Sequence, residues 1–165
     1  QRAVYEGSTR FLVPGITDGY NATVFAYGCT GAGKTYTMIG THEAPGIMVH
    51  TLRELFQAAG AAEAQDAVKF KVSISFLEVY NENIRDLLAA RAGAAAGGGG
   101  GGDEYLDLRE DPIKGPVVSG ITEIETTSAE QIMELLHHGN RNRTTHATNA
   151  NEVSSRSHAV LQVLV

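Results

Sequence analysis

The feature that most constrains the fold is a glycine-rich octapeptide, GCTGAGKT, at Gly28 to Thr35. It follows a short β-favouring run, Thr23 to Tyr27, and it leads into a run from Lys34 to Ile39 that is predicted to be helical. A buried parallel strand that opens through glycines into a helix is typical of α/β proteins. We therefore predict that the chain folds around a strand, a tight loop and a helix at this position.

The octapeptide fits the pattern G-x-x-x-x-G-K-[ST], which suits the binding of phosphate. Its glycines let backbone N–H groups wrap an anion without Cβ clashes, and the following helix adds its N-terminal partial charge. Lys34 is predicted to bring a point charge to the β- and γ-phosphates of a nucleotide. The hydroxyl of Thr35 is predicted to ligate Mg²⁺. A glycine-rich turn with a chance Gly-Lys-Thr is the alternative.

Helical and strand periodicities alternate along the rest of the chain, which favours an α/β sheet with helices on both faces. Helical spacing covers residues 1–17. Another helix is predicted from an apolar stripe that ends near Gly60 and consists of Leu52, Leu55, Phe56 and Ala59. A further helix is predicted to start at Ser128, with a capping box to Gln131, and to stop at Gly139. Strand-like patterns cover Val68 to Phe76, by alternation, and Ala159 to Val165, by the composition of a buried strand.

Residues 89–102 read AARAGAAAGGGGGG, with seven glycines and six alanines around one arginine. Such a segment cannot bury enough apolar area to offset the entropy lost when the chain is ordered. We expect a flexible insertion there.

Composition and charge exclude several classes of protein. The net charge of −6 and the hydrophobic fraction of 42% indicate a globular domain and argue against binding to nucleic acid or to anionic membranes. One cysteine, Cys29, cannot form an internal disulfide, and no Cys/His spacing typical of zinc occurs. No run is apolar enough to be a membrane segment. We expect a soluble, intracellular protein.

A second polar cluster, Asn151 to His158 with the sequence NEVSSRSH, immediately precedes the last strand. By itself it is typical of a connecting loop. A phosphate-binding loop, however, needs a second element whose hydroxyls and amides respond to the γ-phosphate, and adjacent serines beside an arginine supply such groups.

Three stretches together resemble the kinesin motor domain: GYNATVFAYGCTGAGKTYTM at 19–38, FLEVYNENIRDLL at 76–88 and NEVSSRSH at 151–158. They occur in the order of that family's P-loop, central strand and first switch. The resemblance implies a P-loop NTPase fold of the α/β class, with a central mixed sheet and helices on both faces. Residues 1–165 would form a partial motor domain, an incomplete motor core running from the P-loop through the first switch. Motifs such as YLDLRED and GNRNR look most like the kinesin-8 family.

The resemblance also implies the site. The first-switch residues Asn151, Ser154 and Ser155 would contact the γ-phosphate, the Mg²⁺ shell and the attacking water, and Arg156 would latch onto a glutamate of a second switch. Thr35 and Ser155 would be the Mg²⁺ ligands. Residues that would hold ATP are Gly28, Cys29, Thr30, Gly31, Ala32, Gly33, Lys34, Thr35 and Tyr36, the last against the adenine ring unless it is only a surface residue.

Two further segments match kinesin elements. Asn142 and Arg143 match an Asn-Arg pair that leads towards the switch, although a cation at a helix end is an equal interpretation. Residues 109–114 correspond to a loop that touches the microtubule, although one Arg and one Lys among acidic residues are also typical of a solvated turn. The adenine clamp and the second switch of kinesins do not occur in the sequence.

The resemblance implies an ATP-hydrolysing microtubule motor that moves along microtubules in the cytoplasm and cytoskeleton. The isolated 165 residues, without a second switch, are expected to hydrolyse ATP poorly if at all. One alternative is another P-loop NTPase such as a GTPase, but no Asn-Lys-x-Asp motif is found. The other is a noncatalytic, motor-derived microtubule-binding or scaffold protein. The sequence carries no heptads from which to predict an oligomeric state.

Overall fold

A computed structural model describes residues 1–63, 69–89, 105–113, 115–145 and 157–165. These residues form a mixed helix and sheet fold, as the sequence predicted. The helices are α1 (Arg2–Ser8), α2 (Leu12–Thr17), α3 (Lys34–Met38), α4 (Ile47–Glu63) and α5 (Ala129–Thr145). The strands are β1 (Val72–Tyr80), β2 (Asn83–Asp86), β3 (Leu108–Asp111), β4 (Gly115–Val118), β5 (Ile124–Thr126) and β6 (Ser157–Leu164). Most of the predicted insertion, residues 90–102, lies outside the described part.

The chain divides into two compact units. The first comprises residues 1–72 and 127–133 with Val165, and the second comprises residues 73–126 and 134–164. The glycine-rich octapeptide lies in the first unit, and the sheet built on β1 lies in the second.

In the first unit, α1, α2 and α3 all contact α4. The apolar stripe predicted for α4 is confirmed at Leu52, Leu55 and Ala59, which are buried, whereas Phe56 is only partly buried. The predicted end near Gly60 is early, since α4 continues to Glu63. A Cβ at Gly60 would meet nothing within 4 Å, so this glycine is an exposed interior position of the helix and not its end.

The single helix predicted for residues 1–17 is wrong, because the segment forms two helices, α1 and α2. The N–H groups of Thr9 and Arg10 both donate to the carbonyl of Tyr5, at 3.0 and 3.1 Å, and the Thr9 carbonyl then accepts from Leu12 N–H at 3.0 Å. Thr9 is buried at this corner. The chain turns here because it buries Tyr5 and Val13, one from each helix.

In the second unit, β1 is the central strand. It pairs antiparallel with β2 through Leu77 to Tyr80, and antiparallel with β6 through Ser73 to Tyr80. β5 is also its neighbour, in the order β2-β1-β5. β1 begins four residues later than the alternation predicted and is buried continuously from Ile74 to Glu78, as a strand covered on both faces is. β3 and β4 form a separate antiparallel hairpin, in which Pro112 and Ile113 follow β3 in a turn.

β6 confirms the last predicted strand, but its predicted burial is wrong. Ser157 at its start is buried, whereas Val160 and Leu164 are exposed. Composition predicts a preference for an apolar environment, while burial depends on which segments cover the strand. Among the described residues, β6 pairs with β1 alone.

α5 starts as predicted. The N–H of Gln131 donates to Ser128 Oγ at 3.2 Å, and the side chain of Gln131 reaches back to Thr127 N–H at 2.9 Å. The predicted stop at Gly139 is wrong, because α5 continues to Thr145. Gly139 is buried, and a Cβ there would lie 2.5 Å from Phe76 Cδ1. The glycine serves close packing between helix and sheet in place of a helix end.

Candidate functional site

The glycine-rich octapeptide forms a tight loop that ends at α3. Gly31 and Gly33 have φ angles of +83° and +84°, in the left-handed region where side chains are disfavoured. A Cβ at either glycine would meet nothing within 4 Å, so the requirement is conformational and does not come from crowding. The loop and helix predicted from the sequence are therefore present, with α3 starting at Lys34.

Lys34 points its ammonium group back into this loop. Its Nζ donates to the carbonyl oxygens of Gly28 and Cys29, each at 2.9 Å. The Cys29 carbonyl also accepts from Ala32 N–H at 3.2 Å, which closes the loop on itself. Backbone oxygens thus hold the ammonium group at the loop, and Lys34 as a whole is partly exposed.

Two glycines, Gly40 and Gly46, lie in close backbone contact at the end of α3. Gly46 N–H donates to Ile39 O at 2.7 Å, and a Cβ at Gly46 would lie 2.4 Å from the carbonyl oxygen of Met38. A Cβ at Gly40 would lie 2.2 Å from the carbonyl oxygen of Ala44. Spacing gives no signal for them, because the close approach joins residues on either side of a turn.

The strand predicted immediately before the loop, Thr23 to Tyr27, is not formed. Phe25 and Tyr27 are 81% and 96% exposed. A strand is stabilised by a ladder to a neighbouring strand, and within the described ranges no segment pairs with residues 23–27. The composition of this run favours a strand, but no described segment pairs with it to form one.

The remaining predicted nucleotide contacts lie at the start of α3. Thr35 is exposed, and Tyr36 is 53% exposed. The backbone carbonyl of Tyr36 accepts a hydrogen bond from the side chain of Gln1. Neither side chain is committed to the core, so the hydroxyl of Thr35 and the ring of Tyr36 are accessible from solvent.

The predicted first-switch residues Asn151, Ser154, Ser155 and Arg156 lie outside the described residues. The two elements that flank them, α5 and β6, are described. The structure therefore shows the two points of the chain, the end of α5 and the start of β6, that these residues connect.

Those two ends meet at one carboxylate. Arg143, in the last turn of α5, donates from Nε to Glu78 Oε1 at 3.1 Å and from a terminal guanidinium nitrogen to Ser157 Oγ at 2.8 Å. The hydroxyl of Ser157 also donates to Glu78 Oε1. Glu78 is 4% exposed and Ser157 is 9% exposed. We call these three residues the Glu78 cluster.

Of these three residues, Arg143 was predicted individually and Ser157 only as part of the polar cluster at 151–158, whereas Glu78 was not predicted as a site residue. A charged residue within FLEVY, in the middle of an apolar strand, was the available signal, since a buried carboxylate needs a partner. Asn142 is also engaged, because its side chain donates to the Leu87 carbonyl at 3.0 Å. The Asn-Arg pair therefore joins α5 to the sheet, and Arg143 is more than a cation at a helix end.

A second polar cluster, in the first unit, joins α1 to α4. The Tyr5 hydroxyl donates to Glu54 Oε2 at 2.6 Å, and Arg10 Nε donates to Glu54 Oε1 at 3.3 Å. Burial and the hydrogen bond to Glu54 raise the pKa of Tyr5, and the same hydrogen bond lowers the pKa of Glu54. His50 stacks on the Tyr5 ring with centroids 5.3 Å apart, and burial lowers the pKa of His50.

The segment that matches a microtubule-contacting loop lies on the β3–β4 hairpin. Arg109 pairs with Asp107 at 3.3 Å, both side chains being exposed, and Ile113 at the turn is 94% exposed. Lys114 lies outside the described residues.

Among the described residues, no helix is both long and apolar enough to span a bilayer. No group of three or more His, Cys, Asp or Glu side chains is gathered there in a way that could hold a metal ion.

Comparison with known proteins assigns the chain to a class. The kinesin motor domain family profile matches residues 1–165. Human kinesin-like protein KIF19 is 53% identical over 166 residues, which cover all of this chain and 15% of that protein. Rice kinesin-like protein KIN-8A is 46% identical over 165 residues, again all of this chain and 19% of that protein.

A solved structure gives the same result. A KIF14 dimer with AMP-PNP in complex with a microtubule superimposes with a TM-score of 0.79 at 39% identity, over 99% of this chain and 43% of that one. The chain belongs to the kinesin motor domain family. Within that family it is similar to the kinesin-8 proteins, and it spans less than half the length of the relatives it matches.

Proposed function

We propose that the chain is the nucleotide-binding part of a microtubule motor that hydrolyses ATP. The observation that carries this proposal is the position of Lys34, whose ammonium group is fixed at the mouth of a glycine loop in a chain that belongs to the kinesin family. A lysine in that place is a counter-charge for phosphate oxygens. Its present hydrogen bonds go to the carbonyls of its own loop, from which an incoming polyphosphate would draw it.

The residues fit a Mg²⁺-bound nucleotide. Gly31 and Gly33 adopt the left-handed φ angles with which backbone N–H groups can surround an anion, Lys34 supplies positive charge, and Thr35 offers an exposed hydroxyl oxygen of the kind that binds Mg²⁺. When bound, Mg²⁺ would neutralise charge on the phosphate oxygens. We assign Thr35, with Ser155, to that ion.

In this proposal the P-loop, from Gly28 to Thr35, binds and orients the triphosphate. Lys34 stabilises the charge that develops as the terminal phosphoryl group leaves. Ser154, Ser155 and Asn151 orient the attacking water, and Arg156 stabilises the closed arrangement. Tyr36, which is half-exposed beside the loop, would stack on the adenine ring.

The proposed partner is the microtubule, and the proposed location is the cytoplasmic cytoskeleton. The KIF14 structure contains a microtubule, and the exposed β3–β4 hairpin with Arg109 occupies the segment that the sequence matched to a tubulin contact. Movement along microtubules is proposed for the full-length protein. We propose no nucleic-acid partner.

Nucleotide binding tests the P-loop assignment directly. The full-length protein should bind a fluorescent ATP analogue in a Mg²⁺-dependent manner, and Lys34→Ala should weaken that binding by about 10²-fold or more because charge-assisted phosphate contacts are lost. Lys69→Ala, which removes an exposed lysine of the same unit, is the matched control and should bind as the wild type does.

The noncatalytic alternative predicts a different result. A motor-derived scaffold protein would bind microtubules, but it would either bind no nucleotide or bind nucleotide equally well with and without Mg²⁺. Equal binding by the wild type and by Lys34→Ala would contradict the assignment of the P-loop.

A further inference from the structure

The Glu78 cluster lies at the two ends of the segment that carries the predicted catalytic residues. Residues 146–156, which include Asn151 and Ser154 to Arg156, connect the C-terminal end of α5 to the first residue of β6. Arg143 is in the last turn of α5, and Ser157 is the first residue of β6. Both bind the same carboxylate oxygen of Glu78.

We propose that Glu78 is a positioning residue for the first switch: it sets the separation and direction of the two chain ends from which the catalytic residues run. The inference rests on the proposed ATPase function. Glu78 itself touches no reacting atom in this account and acts through Arg143 and Ser157.

Sheet register explains why Glu78 can reach both ends. β1 pairs with β6 so that Tyr80 faces Ser157 and Glu78 faces Ala159, which makes Glu78 the diagonal neighbour of Ser157. Diagonal neighbours on one face of an antiparallel pair are within reach of long side chains. Glu78 therefore contacts β6 through Ser157 and α5 through Arg143, and these two partners also contact each other.

Burial makes this contact selective for a single arrangement. The side chain of Glu78 is 6% exposed and that of Arg143 is 28% exposed, so little water competes for the carboxylate. A buried carboxylate that loses its guanidinium partner is left uncompensated, which disfavours alternative positions of either element. An exposed ion pair would tolerate such movement.

The forked geometry also requires arginine. One guanidinium nitrogen binds the carboxylate of β1 while another binds the hydroxyl of β6, and the hydroxyl closes the triangle by donating to the carboxylate. A lysine presents a point charge and lacks the planar fork, so it cannot reproduce both contacts with the same geometry.

The test compares three variants in the full-length protein. Glu78→Gln keeps the shape of the side chain and removes its charge, and Ser157→Ala removes the shared hydroxyl and leaves the ion pair in place. The matched control is Ser75→Ala, which deletes another hydrogen bond between β1 and β6, from Ser75 Oγ to Gln162 at 3.3 Å, away from the chain ends.

The measured quantities are kcat and KM for ATP hydrolysis, normalised to the titre of nucleotide-binding sites. A positioning role predicts that Glu78→Gln lowers kcat by about 10-fold to 100-fold, since small misplacements of reacting groups have effects of that size. KM for ATP should change less than about 3-fold, because the P-loop supplies the binding contacts. Ser157→Ala should lower kcat in the same direction, and Ser75→Ala should leave both parameters unchanged.

Coupling between the residues gives a second readout. Glu78→Gln combined with Ser157→Ala should be no slower than Glu78→Gln alone, since both changes break one unit. If Glu78→Gln does not fold, Ser157→Ala with its control decides the question.

Each outcome has one meaning. An unchanged kcat in Glu78→Gln or, where that variant does not fold, in Ser157→Ala overturns the positioning role and leaves the proposed function standing. A lower titre of sites with normal kcat for each site also overturns it, because the residue is then only structural. A wild type that binds nucleotide but shows no turnover overturns the proposed ATPase and the positioning role together.

Discussion

The ring of Phe76 occupies the space into which a side chain at Gly139 would project. A Cβ built on Gly139 would lie 2.5 Å from Cδ1 and 2.8 Å from Cε1 of that ring. Real Cβ atoms do not approach other heavy atoms so closely, and both residues are buried. The distance explains why α5 keeps a glycine in its interior, where helix propensity alone disfavours it.

Gly139→Ala is therefore expected to destabilise the fold. The methyl group must displace Phe76 in a packed interior, which costs up to about 3 kcal/mol and so exceeds the gain of about 1 kcal/mol from helix propensity. The matched control is Gly60→Ala in α4, where a Cβ meets nothing. Urea unfolding should show a loss of stability for Gly139→Ala and an unchanged or higher stability for Gly60→Ala. Equal effects at the two positions would contradict the packing explanation.

Asp86 is expected to be an important structural carboxylate. Its Oδ1 accepts from Leu88 N–H at 2.8 Å and its Oδ2 accepts from Thr122 N–H at 2.7 Å, while Leu88 is fully buried. Asp86→Ala leaves two backbone donors without a partner, and each costs about 1–3 kcal/mol. We expect a total loss of about 2–6 kcal/mol in unfolding free energy.

The control for Asp86 is Asp107→Ala. Asp107 pairs with Arg109 at the surface, where such pairs contribute little, so its removal should change stability by less than about 1 kcal/mol. Similar losses of unfolding free energy in the two variants would show that Asp86 contributes no more to stability than an ordinary surface charge does.

The Tyr5–Glu54 pair predicts how stability depends on pH. The pKa of Glu54 is lowered in the fold, so its contribution is complete above its ordinary value of 4.5 and is lost as the pH falls below that value. His50, whose pKa is also lowered, adds to the acid loss as the pH falls through 6.5. The pKa of Tyr5 is raised, so its contribution is complete below pH 10 and is lost as the pH rises further.

Tyr5→Phe tests that prediction, because it removes the hydroxyl and keeps the ring that stacks on His50. It should reduce stability by about 1–2 kcal/mol at pH 7, because a hydrogen bond to a charged group is lost. It should also weaken the loss of melting temperature above pH 10. Tyr20→Phe, at a 73% exposed position, serves as the control and should retain the wild-type profile. A Tyr5→Phe profile parallel to that of the wild type would contradict the assignment.

Local features of the fold were predictable from the sequence. The octapeptide predicted its own loop and the start of α3, since glycines at Gly31 and Gly33 and the Lys-Thr that follows act within a few residues. The capping box at Ser128 and Gln131 predicted the start of α5 for the same reason. The stripe on α4 was readable because a helix repeats its buried face at a fixed spacing.

Features that depend on distant partners were not predictable. The run from Thr23 to Tyr27 favours a strand, yet a strand forms only beside another strand, and the described residues supply none there. Glycine often follows the end of a helix, but Gly139 is required by its close packing against Phe76, which is far away in the sequence. Glu78 was missed in the candidate site because its two partners come from elements more than sixty residues later along the chain.

ATP turnover by the full-length protein, with and without microtubules, tests the central claim most directly. We expect microtubules to stimulate turnover and Lys34→Ala to lower the stimulated rate by about 10²-fold to 10³-fold, because the charge on the transferred phosphoryl group is no longer stabilised. Lys69→Ala should behave as the wild type does. A protein that sediments with microtubules but shows no turnover, or the same turnover with and without Lys34, would contradict the account.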